Sequence, residues 1–332
     1  MRILLWHVHG SWTTSFVAGR GGAGARDGTP REYLLPVTPD RGPDGRGRAT
    51  TWDWPANVRE VTPDELAHTD VDVVVLQRPH ELDLAAAWLG RRPGVDVPAV
   101  YVEHNTPKGD VPETRHPLAD QTRIPIVHVT HTNRLLWDNG VAPTVVIEHG
   151  IVDPGPRWTG ELPRAAVVVN EPVRRWRVAG TDLLPGLAQA APLDVYGMQV
   201  HGLPDALGGP AAGRIAVHED LPQAALHAQL ARRRVYVHPY RWTSLGLSLL
   251  EAMHLGMPVV VLAMTAAVEA VPREAGCLST RPERLADAVR EFVNDPAAAA
   301  VAGKYARATA LERYGLDRFL ADWDHLLAEV TR

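Results

Sequence analysis

The sequence predicts an α/β protein of two domains, each built on a parallel sheet. Short apolar runs alternate with longer amphipathic stretches along most of the chain, the pattern of repeated βαβ units. At 332 residues the chain is long for a single core and suits two domains of about 150 residues each. A Pro- and Gly-rich segment, residues 152–163, interrupts the alternation and marks the boundary.

Taken in order, the first half holds strand candidates at 3–8, 33–37, 71–76, 97–102, 126–129 and 145–147. Each is a short apolar run flanked by turn residues. Helices are predicted at 83–89 and 133–139. In the second half strands are predicted at 165–169, 193–196, 214–217, 235–238 and 259–262, and helices at 221–232, 246–255 and 282–294. A last amphipathic stretch, 316–330, closes the chain. Residues 19–48 are rich in Gly, Arg and Pro and read as a pair of loops flanking one strand. They contain Gly19, Gly21 and Gly24 in G-x-G-x-x-G spacing. A dinucleotide fingerprint must follow a strand directly and open a helix. Here the glycines come well after the first strand and run into turn residues, so a surface loop is expected.

Composition narrows the classes. Hydrophobic residues make up 45% and charged ones 22%, as in an ordinary globular protein. No apolar stretch approaches the roughly 20 residues of a membrane helix. The opening MRILLWHVHG makes a poor signal peptide, and the lone Cys277 suits a reducing compartment, so a cytoplasmic protein is expected. A net charge of -5 argues against a nucleic-acid binder. Lys108 and Lys304 are the only lysines, so arginine abundance alone means little and only clustered arginines count.

The most informative stretch is VYVHPYRWTSLGLSLLEAMHLGMPVVV, residues 235–261. It reads as strand, loop, helix, tight turn and strand. Leu247, Leu250 and Met253 form an apolar stripe toward a sheet. Gly246 allows close backbone approach to a ligand, and the free N–H groups at the helix start, with the helix dipole, suit a phosphate. Glu251 is expected to face away from the stripe, where its carboxylate could accept hydrogen bonds from a ribose diol; a solvated surface glutamate fits the same periodicity. Arg174, Arg175 and Arg177 lie between a strand end and a helix start. A departing diphosphate gains negative charge, which such a cluster would meet. An arginine-rich solvated loop is the plainer alternative.

Residues 243–260, TSLGLSLLEAMHLGMPVV, resemble the E-G-F-G-L-x-x-L-E-A-M-A-x-G-x-P-V-V motif of retaining glycosyltransferases of family 4, which have the GT-B fold. The resemblance assigns Glu251 to the nucleotide ribose and the amides of Gly246 and Leu247 to the diphosphate. Thr243 stands where the family has a glutamate for the donor sugar, and Ser244 and Leu245 complete that loop. Upstream, 167–184 resembles the family's G-R-L-x-x-x-K-G-x-D-x-L-L, with Gly180 and Asp182 aligned. Arg174 takes the arginine position and Ala179 the usual lysine position. Downstream, Glu269 and Gly276 match. Gly10 and Ser11 follow the first strand, where the family has a Gly-rich turn on the donor diphosphate. His104, in YVEHNTP, falls on a histidine that reaches the donor sugar and the reacting phosphate. His131 is a weaker candidate, and His149-Gly150 reads as a turn. Backbone groups near Gly197 and Met198 are expected to read the base.

The resemblance implies two Rossmann-like domains facing each other across a cleft. Residues 1–155, with a crossing helix at about 316–332, would take the acceptor, and 156–315 the nucleotide-sugar donor. His104, Arg174 and Glu251 are the catalytic candidates. Transfer would proceed with retention, with no metal and no cofactor beyond the sugar nucleotide, to an unknown glycan, lipid or small-molecule hydroxyl. Asp70 and Asp72 have D-x-D spacing but open a buried-looking strand, and no H-x-x-x-H or G-x-S-x-G pattern occurs. A non-catalytic GT-B relative that binds nucleotide or glycan is the alternative, motivated by Thr243 and Ala179; an epimerase is a third reading. The loop residues Arg20, Arg26, Arg31, Arg41, Arg46 and Arg48 are candidates for an anionic acceptor or weak peripheral membrane contact. Asp27, Glu32, Asp40 and Asp44 lie among them.

Overall fold

The computed structural model describes residues 1–19 and 30–332. It forms two compact units, Met1–Val152 with Leu316–Arg332, and Asp153–Gly315.

The first unit begins with β1 (Arg2–Leu5), α1 (Gly10–Val17), β2 (Glu32–Pro36), β3 (Val58–Val61) and α2 (Pro63–Leu66). It continues through β4 (Val73–Leu76), α3 (Glu81–Leu89), β5 (Ala99–Glu103), β6 (Ile126–His128), α4 (His131–Leu136) and β7 (Thr144–Val146). The seven strands run in the order β3-β2-β1-β4-β5-β6-β7, every pair parallel. Parallel strands are covered on both faces, which is why β4 and β5 read as unbroken apolar runs and are buried throughout. The chain leaves β1 toward β2 on one side and β4 lies on the other, so the topological switch falls between β1 and β4.

The second unit starts with β8 (Leu162–Val168), α5 (Pro172–Ala179), α6 (Leu184–Ala190), β9 (Leu193–Gly197), α7 (Leu203–Leu207) and α8 (Gly209–Ala212). Then come β10 (Ile215–Glu219), α9 (Gln223–Ala231), β11 (Arg233–His238), α10 (Leu247–Leu255) and β12 (Val259–Leu262). α11 (Ala267–Ala270), β13 (Gly276–Ser279), α12 (Pro282–Asn294) and α13 (Pro296–Tyr314) complete it. Its six strands are again all parallel, in the order β10-β9-β8-β11-β12-β13. The last helix, α14 (Leu316–Val330), belongs to the first unit.

Among the elements not predicted, β3, β13, α1 and α13 have plain physical reasons. β3 and β13 are short, and neither has an apolar run: VREV exposes Arg59, and GCLS is only half-buried. α1, GSWTTSFV, is weak in helix formers and is held by tertiary contact. Its Trp12 and Phe16 pack against Trp323 of α14, with ring centroids 5.8 and 4.9 Å apart. α13 has an alanine-rich start with no clear apolar stripe. Asp295 caps it by accepting from the amides of Ala297 and Ala298 at 3.0 and 2.9 Å. A Cβ on its Gly303 would lie 2.0 Å from the Gly256 carbonyl oxygen, so the helix packs backbone to backbone there.

At the starting ends of the second sheet's strands, the buried Asp194 gathers three partners. Arg164 and Arg233 donate through Nε at 2.7 and 2.8 Å, and His218 Nε2 lies 3.3 Å away. Burial opposes ionisation of this carboxyl, but the hydrogen bonds from Arg164 and Arg233 outweigh it and hold its pKa below the ordinary value. Asp194→Ala leaves a buried guanidinium unpaired and is expected to cost about 3 kcal/mol. The check is a lower urea midpoint with an unchanged m-value.

Burial also holds several histidines neutral. It lowers His9 and His128 to about 4, and His149 and His238 to about 3. A pKa depressed in the folded state gives stability that is complete above the unfolded value of about 6.5 and lost as pH falls through the folded values. In that window each such histidine contributes a slope of up to about 1.4 kcal/mol per pH unit. The urea midpoint is therefore expected to fall between pH 7.5 and pH 5, with net proton uptake on unfolding.

Candidate functional site

In the second unit the chain leaves β11 at His238 and enters α10 with Gly246 as the N-cap, which no side chain caps. The glycine is required by packing. A Cβ there would lie 2.3 Å from Cε1 of His238 and 2.9 Å from its Nε2. The His238 ring stacks with Tyr240 at 4.9 Å, and the Arg175 guanidinium carbon lies 5.4 Å from the Tyr240 ring centroid. Arg175, Tyr240, His238 and Gly246 thus form one chain of contacts that ends at the start of α10. The amides of Leu247 and its neighbour, with the positive end of the helix dipole, are suited to a phosphate.

The arginine cluster does not act together. Arg174, placed by the sequence at the family's arginine position, is two-thirds exposed and turns to Glu171, its Nε donating at 2.8 Å. Arg177 pairs with Asp182 at 3.1 Å and is also exposed. The reason is local: α5 is kinked at Trp176 (φ 19, ψ -95), which separates the arginines, and Glu171 is three residues before Arg174. Of the three guanidinium groups, that of Arg175 lies over the Tyr240 ring of the β11–α10 loop, while Arg177 meets the loop through its carbonyl, which accepts from Arg241 Nη1 at 2.9 Å. Ala179 is fully buried, and Gly180 (φ 73) is pinned under that same loop, where a Cβ would lie 2.0 Å from the Pro239 carbonyl oxygen.

Glu251 is not on a solvated face. It is 4% exposed, and two donors from α9 hold its carboxylate: His227 Nε2 to Oε2 at 3.1 Å and Gln223 Nε2 to Oε1 at 3.2 Å. The expected stripe is only part of the buried surface, because every residue from Leu249 to Leu255 is buried. Gln223 and His227 are four apart in α9, a spacing that puts both on one face. That spacing was the available signal, and the sequence reading did not use it. Of the donor loop, Thr243 is half-buried, while Ser244 and Leu245 are buried. The Ser244 carbonyl accepts from the Ala266 amide at 3.3 Å.

The backbone expected to read a base is already engaged. Gly197 (φ 140) is wedged so closely that a Cβ would lie 2.2 Å from the Val169 carbonyl oxygen. Its own carbonyl accepts from the Asp220 amide at 3.0 Å. The Met198 amide donates to Asn170 Oδ1 at 2.9 Å, and its carbonyl accepts from the Glu171 amide at 2.8 Å. The next three amides, Gln199, Val200 and His201, all donate to the Glu219 carboxylate, at 2.5, 2.9 and 3.2 Å.

In the first unit, groups gather beyond the C-terminal ends of β1, β4, β5 and β7, next to the switch point. His9 caps the start of α1, so Gly10 and Ser11 open a helix and do not form a turn. Trp52 packs on Gly10, where a Cβ would lie 2.6 Å from the indole Nε1. The His9 and His104 rings are 4.3 Å apart, and Trp12 meets His104 edge-on at 5.1 Å. His104 Nε2 is 3.0 Å from Gln77 Oε1. Burial, then the neighbouring His9 and His149, hold the His104 pKa well below its ordinary value. His149 therefore belongs to this cluster as well as to a turn, and Arg318 anchors its carbonyl at 2.6 Å. Gln77, Trp52 and the histidine contacts carry no sequence motif. His131 is exposed at the start of α4.

Other candidates resolve plainly. Asp72 accepts from the Arg2 amide at 2.6 Å, at the opposite end of the sheet from His104. Among the described residues no three His, Cys, Asp or Glu side chains converge as metal ligands would, and no helix is long and apolar enough to cross a membrane. Arg31 pairs with Asp324, Arg41 with Glu60 at 3.0 Å, and Arg48 donates to the Pro55 carbonyl at 3.0 Å. These three have internal partners; Arg41 and Arg46 are the exposed members of the described set. Arg20, Gly21, Gly24, Arg26 and Asp27 lie outside the described residues.

Residues 211–309, from α8 into α13, match the family described as glycosyl transferases group 1. No curated protein matches the chain. Among solved structures, sucrose-phosphate synthase from Thermosynechococcus elongatus is 15% identical, covering 99% of this chain and 98% of its own, with a TM-score of 0.71. HepE from Anabaena, solved with UDP, is 14% identical over 99% of both chains, with a TM-score of 0.66. TarM from S. aureus, solved with UDP and alpha-GlcNAc-glycerol, is 17% identical with a TM-score of 0.60. The match to TarM covers 77% of this chain but only 55% of TarM, so this chain spans about half its length. At these identities the likeness speaks to the fold: two Rossmann-like α/β domains with parallel sheets, of the GT-B kind. With the family match, it supports a glycosyltransferase enzyme.

Proposed function

We propose that this chain moves a sugar from a nucleoside diphosphate sugar to an acceptor hydroxyl, with the nucleotide held on α10. The start of α10 carries the reading. Its glycine N-cap is enforced by His238, no side chain caps it, and a buried, oriented carboxylate, Glu251, follows about one turn later. The amides there would take the diphosphate and Glu251 the ribose. Crystal structures of HepE and TarM with UDP are in keeping with this.

Transfer without a metal is part of the proposal. A departing diphosphate needs positive charge, and Arg175 on Tyr240, together with the α10 dipole, would supply it. Retention rests on the resemblance to family 4 alone. The acceptor would bind the unit that carries His104, as a glycan, lipid or small-molecule hydroxyl. A cytoplasmic setting is proposed with it, on the lone, unpaired Cys277. A second reading, nucleotide or glycan binding without transfer, is favoured by one observation: Thr243 supplies a hydroxyl where the resemblance calls for a carboxylate.

Calorimetric titration of UDP, GDP and ADP in EDTA tests the site. One nucleotide is expected to bind with a micromolar to submillimolar Kd, and Glu251→Ala to weaken it about ten- to a hundredfold, as for loss of a charge-assisted hydrogen bond. No binding, or equal binding by a folded Glu251→Ala, refutes the assignment. Turnover of sugar donors carrying the preferred base then separates transfer from binding alone.

Arg175→Ala is expected to lower nucleotide affinity about tenfold, while Arg174→Ala changes it by less than about threefold, as suits an exposed local ion pair. The reverse order would return the phosphate role to Arg174.

A further inference from the structure

Gln77 stands at the C-terminal end of β4 and is 4% exposed. Both halves of its amide are committed. Its Nε2 donates to the Trp6 carbonyl at 2.7 Å. A carbonyl oxygen only accepts, so the Gln77 NH2 group must point there, and the amide oxygen must be the atom 3.0 Å from His104 Nε2. That oxygen also only accepts, so the imidazole proton must lie on Nε2. The His104 ring is buried against His9 and Trp12 and is neutral, so it carries one N–H and one bare lone pair. The lone pair is on Nδ1. No hydrogen bond to the Nδ1 of His104 is formed among the described residues.

Gln77 is itself held. Its amide N–H donates to Glu81 Oε2 at 2.6 Å, and that buried carboxylate also accepts from the Arg78 amide at 3.2 Å and from Arg78 Nε at 2.7 Å. The bond to Glu81 comes from the backbone N–H and fixes the strand end, and the Nε2 bond to the Trp6 carbonyl keeps the side-chain amide from flipping and releasing the tautomer.

We propose that Gln77 is a positioning residue for sugar transfer, locking His104 as the Nε2–H tautomer so that Nδ1 accepts a hydrogen bond from a substrate hydroxyl. This rests on the transferase reading above and deepens it. A bare lone pair attracts an O–H and repels the unprotonated oxygens of a diphosphate. His104 then reads a hydroxyl, not the reacting phosphate that the sequence resemblance also assigned to it.

The test joins long-range proton–nitrogen NMR of the histidine rings, with His104→Gln to assign the signal, to donor turnover. The wild type is expected to show the Nε2–H tautomer. Gln77→Leu should shift His104 toward a mixture and lower kcat/KM about three- to tenfold, the range of one neutral hydrogen bond, with nucleotide affinity unchanged. A rise in KM confined to donor or to acceptor identifies whose hydroxyl is read. Gln77→Glu keeps an accepting oxygen, so the tautomer should persist at high pH. Its negative charge favours protonation of His104, against the opposing effect of His9 and His149, so the acid limb of the pH–rate profile should move upward. An Nδ1–H tautomer in the wild type overturns the lock. A folded Gln77→Leu with a shifted tautomer and unchanged kcat/KM overturns the positioning role. A wild type that shows the Nε2–H tautomer and consumes no sugar nucleotide overturns the transferase reading instead, and with it the catalytic half of this proposal.

Discussion

The start of α10 depends on one close approach, the His238 imidazole lying where a side chain on residue 246 would have to go. Any side chain at the N-cap of α10 would have to displace that ring, and with glycine there no side chain caps the first amides of the helix. Those amides are the asset the proposed function uses. The same ring is held neutral by burial, so it brings no charge of its own to the loop. Positive charge enters one step further out, from Arg175 over Tyr240, which stacks on His238. A larger residue at 246 would displace the ring, and through Tyr240 it would disturb the guanidinium as well.

Parallel sheets give each unit two unlike ends. In the second unit the starting end is tied by Asp194 with Arg164 and Arg233, a network that is largely buried and has no free valence for a ligand. In the first unit the same end carries Asp72 on the Arg2 amide. The opposite ends carry His104, Gln77 and His9 in one unit and the β11–α10 loop in the other. Crevices form at such a switch point because all strands deliver their loops to one edge, and the ion pairs that stabilise the sheets can then be kept away from the chemistry. The Gly197 loop shows that position at that edge is not sufficient. Its polar groups are consumed by Asn170, Glu171, Asp220 and Glu219, so it is a rigid wall more than a reading surface.

The parts legible in the sequence were those with local causes. β12 and α12 run where the apolar pattern and the punctuating Gly and Pro put them, and α10 begins one residue after its glycine. α1 escaped notice because its stability comes from Trp323, more than three hundred residues away along the chain, and α13 because alanines packing on a backbone leave no amphipathic stripe. The site divides in the same way. Gly246 and Glu251 could be found from a contiguous motif. The spacing of Gln223 and His227 marks a shared helix face, but that they and His238 meet the motif is decided through space, as Gln77 reaches His104 across 27 residues. Arg174 was preferred over Arg175 because motif spacing cannot reveal which side chain the kink at Trp176 turns inward.

Two departures from the family pattern, at 179 and 243, are physically unlike. Ala179 is fully buried in the core around β8, and the next residue is pinned under the Pro239 carbonyl. A lysine at 179 would have to bury an ammonium among aliphatic side chains, or push α5 off the sheet, and either is costly. The missing charge is therefore built into the packing and must come from the outer face of α5, where Arg175 reaches Tyr240. Thr243 is half-buried in a loop. Under the proposed function, Thr243 offers the donor sugar a hydroxyl in place of a carboxylate. The substitution at 179 has been absorbed by the architecture. If a sugar nucleotide lies on α10, its phosphates meet a rearranged but complete set of donors, and its sugar meets a different one.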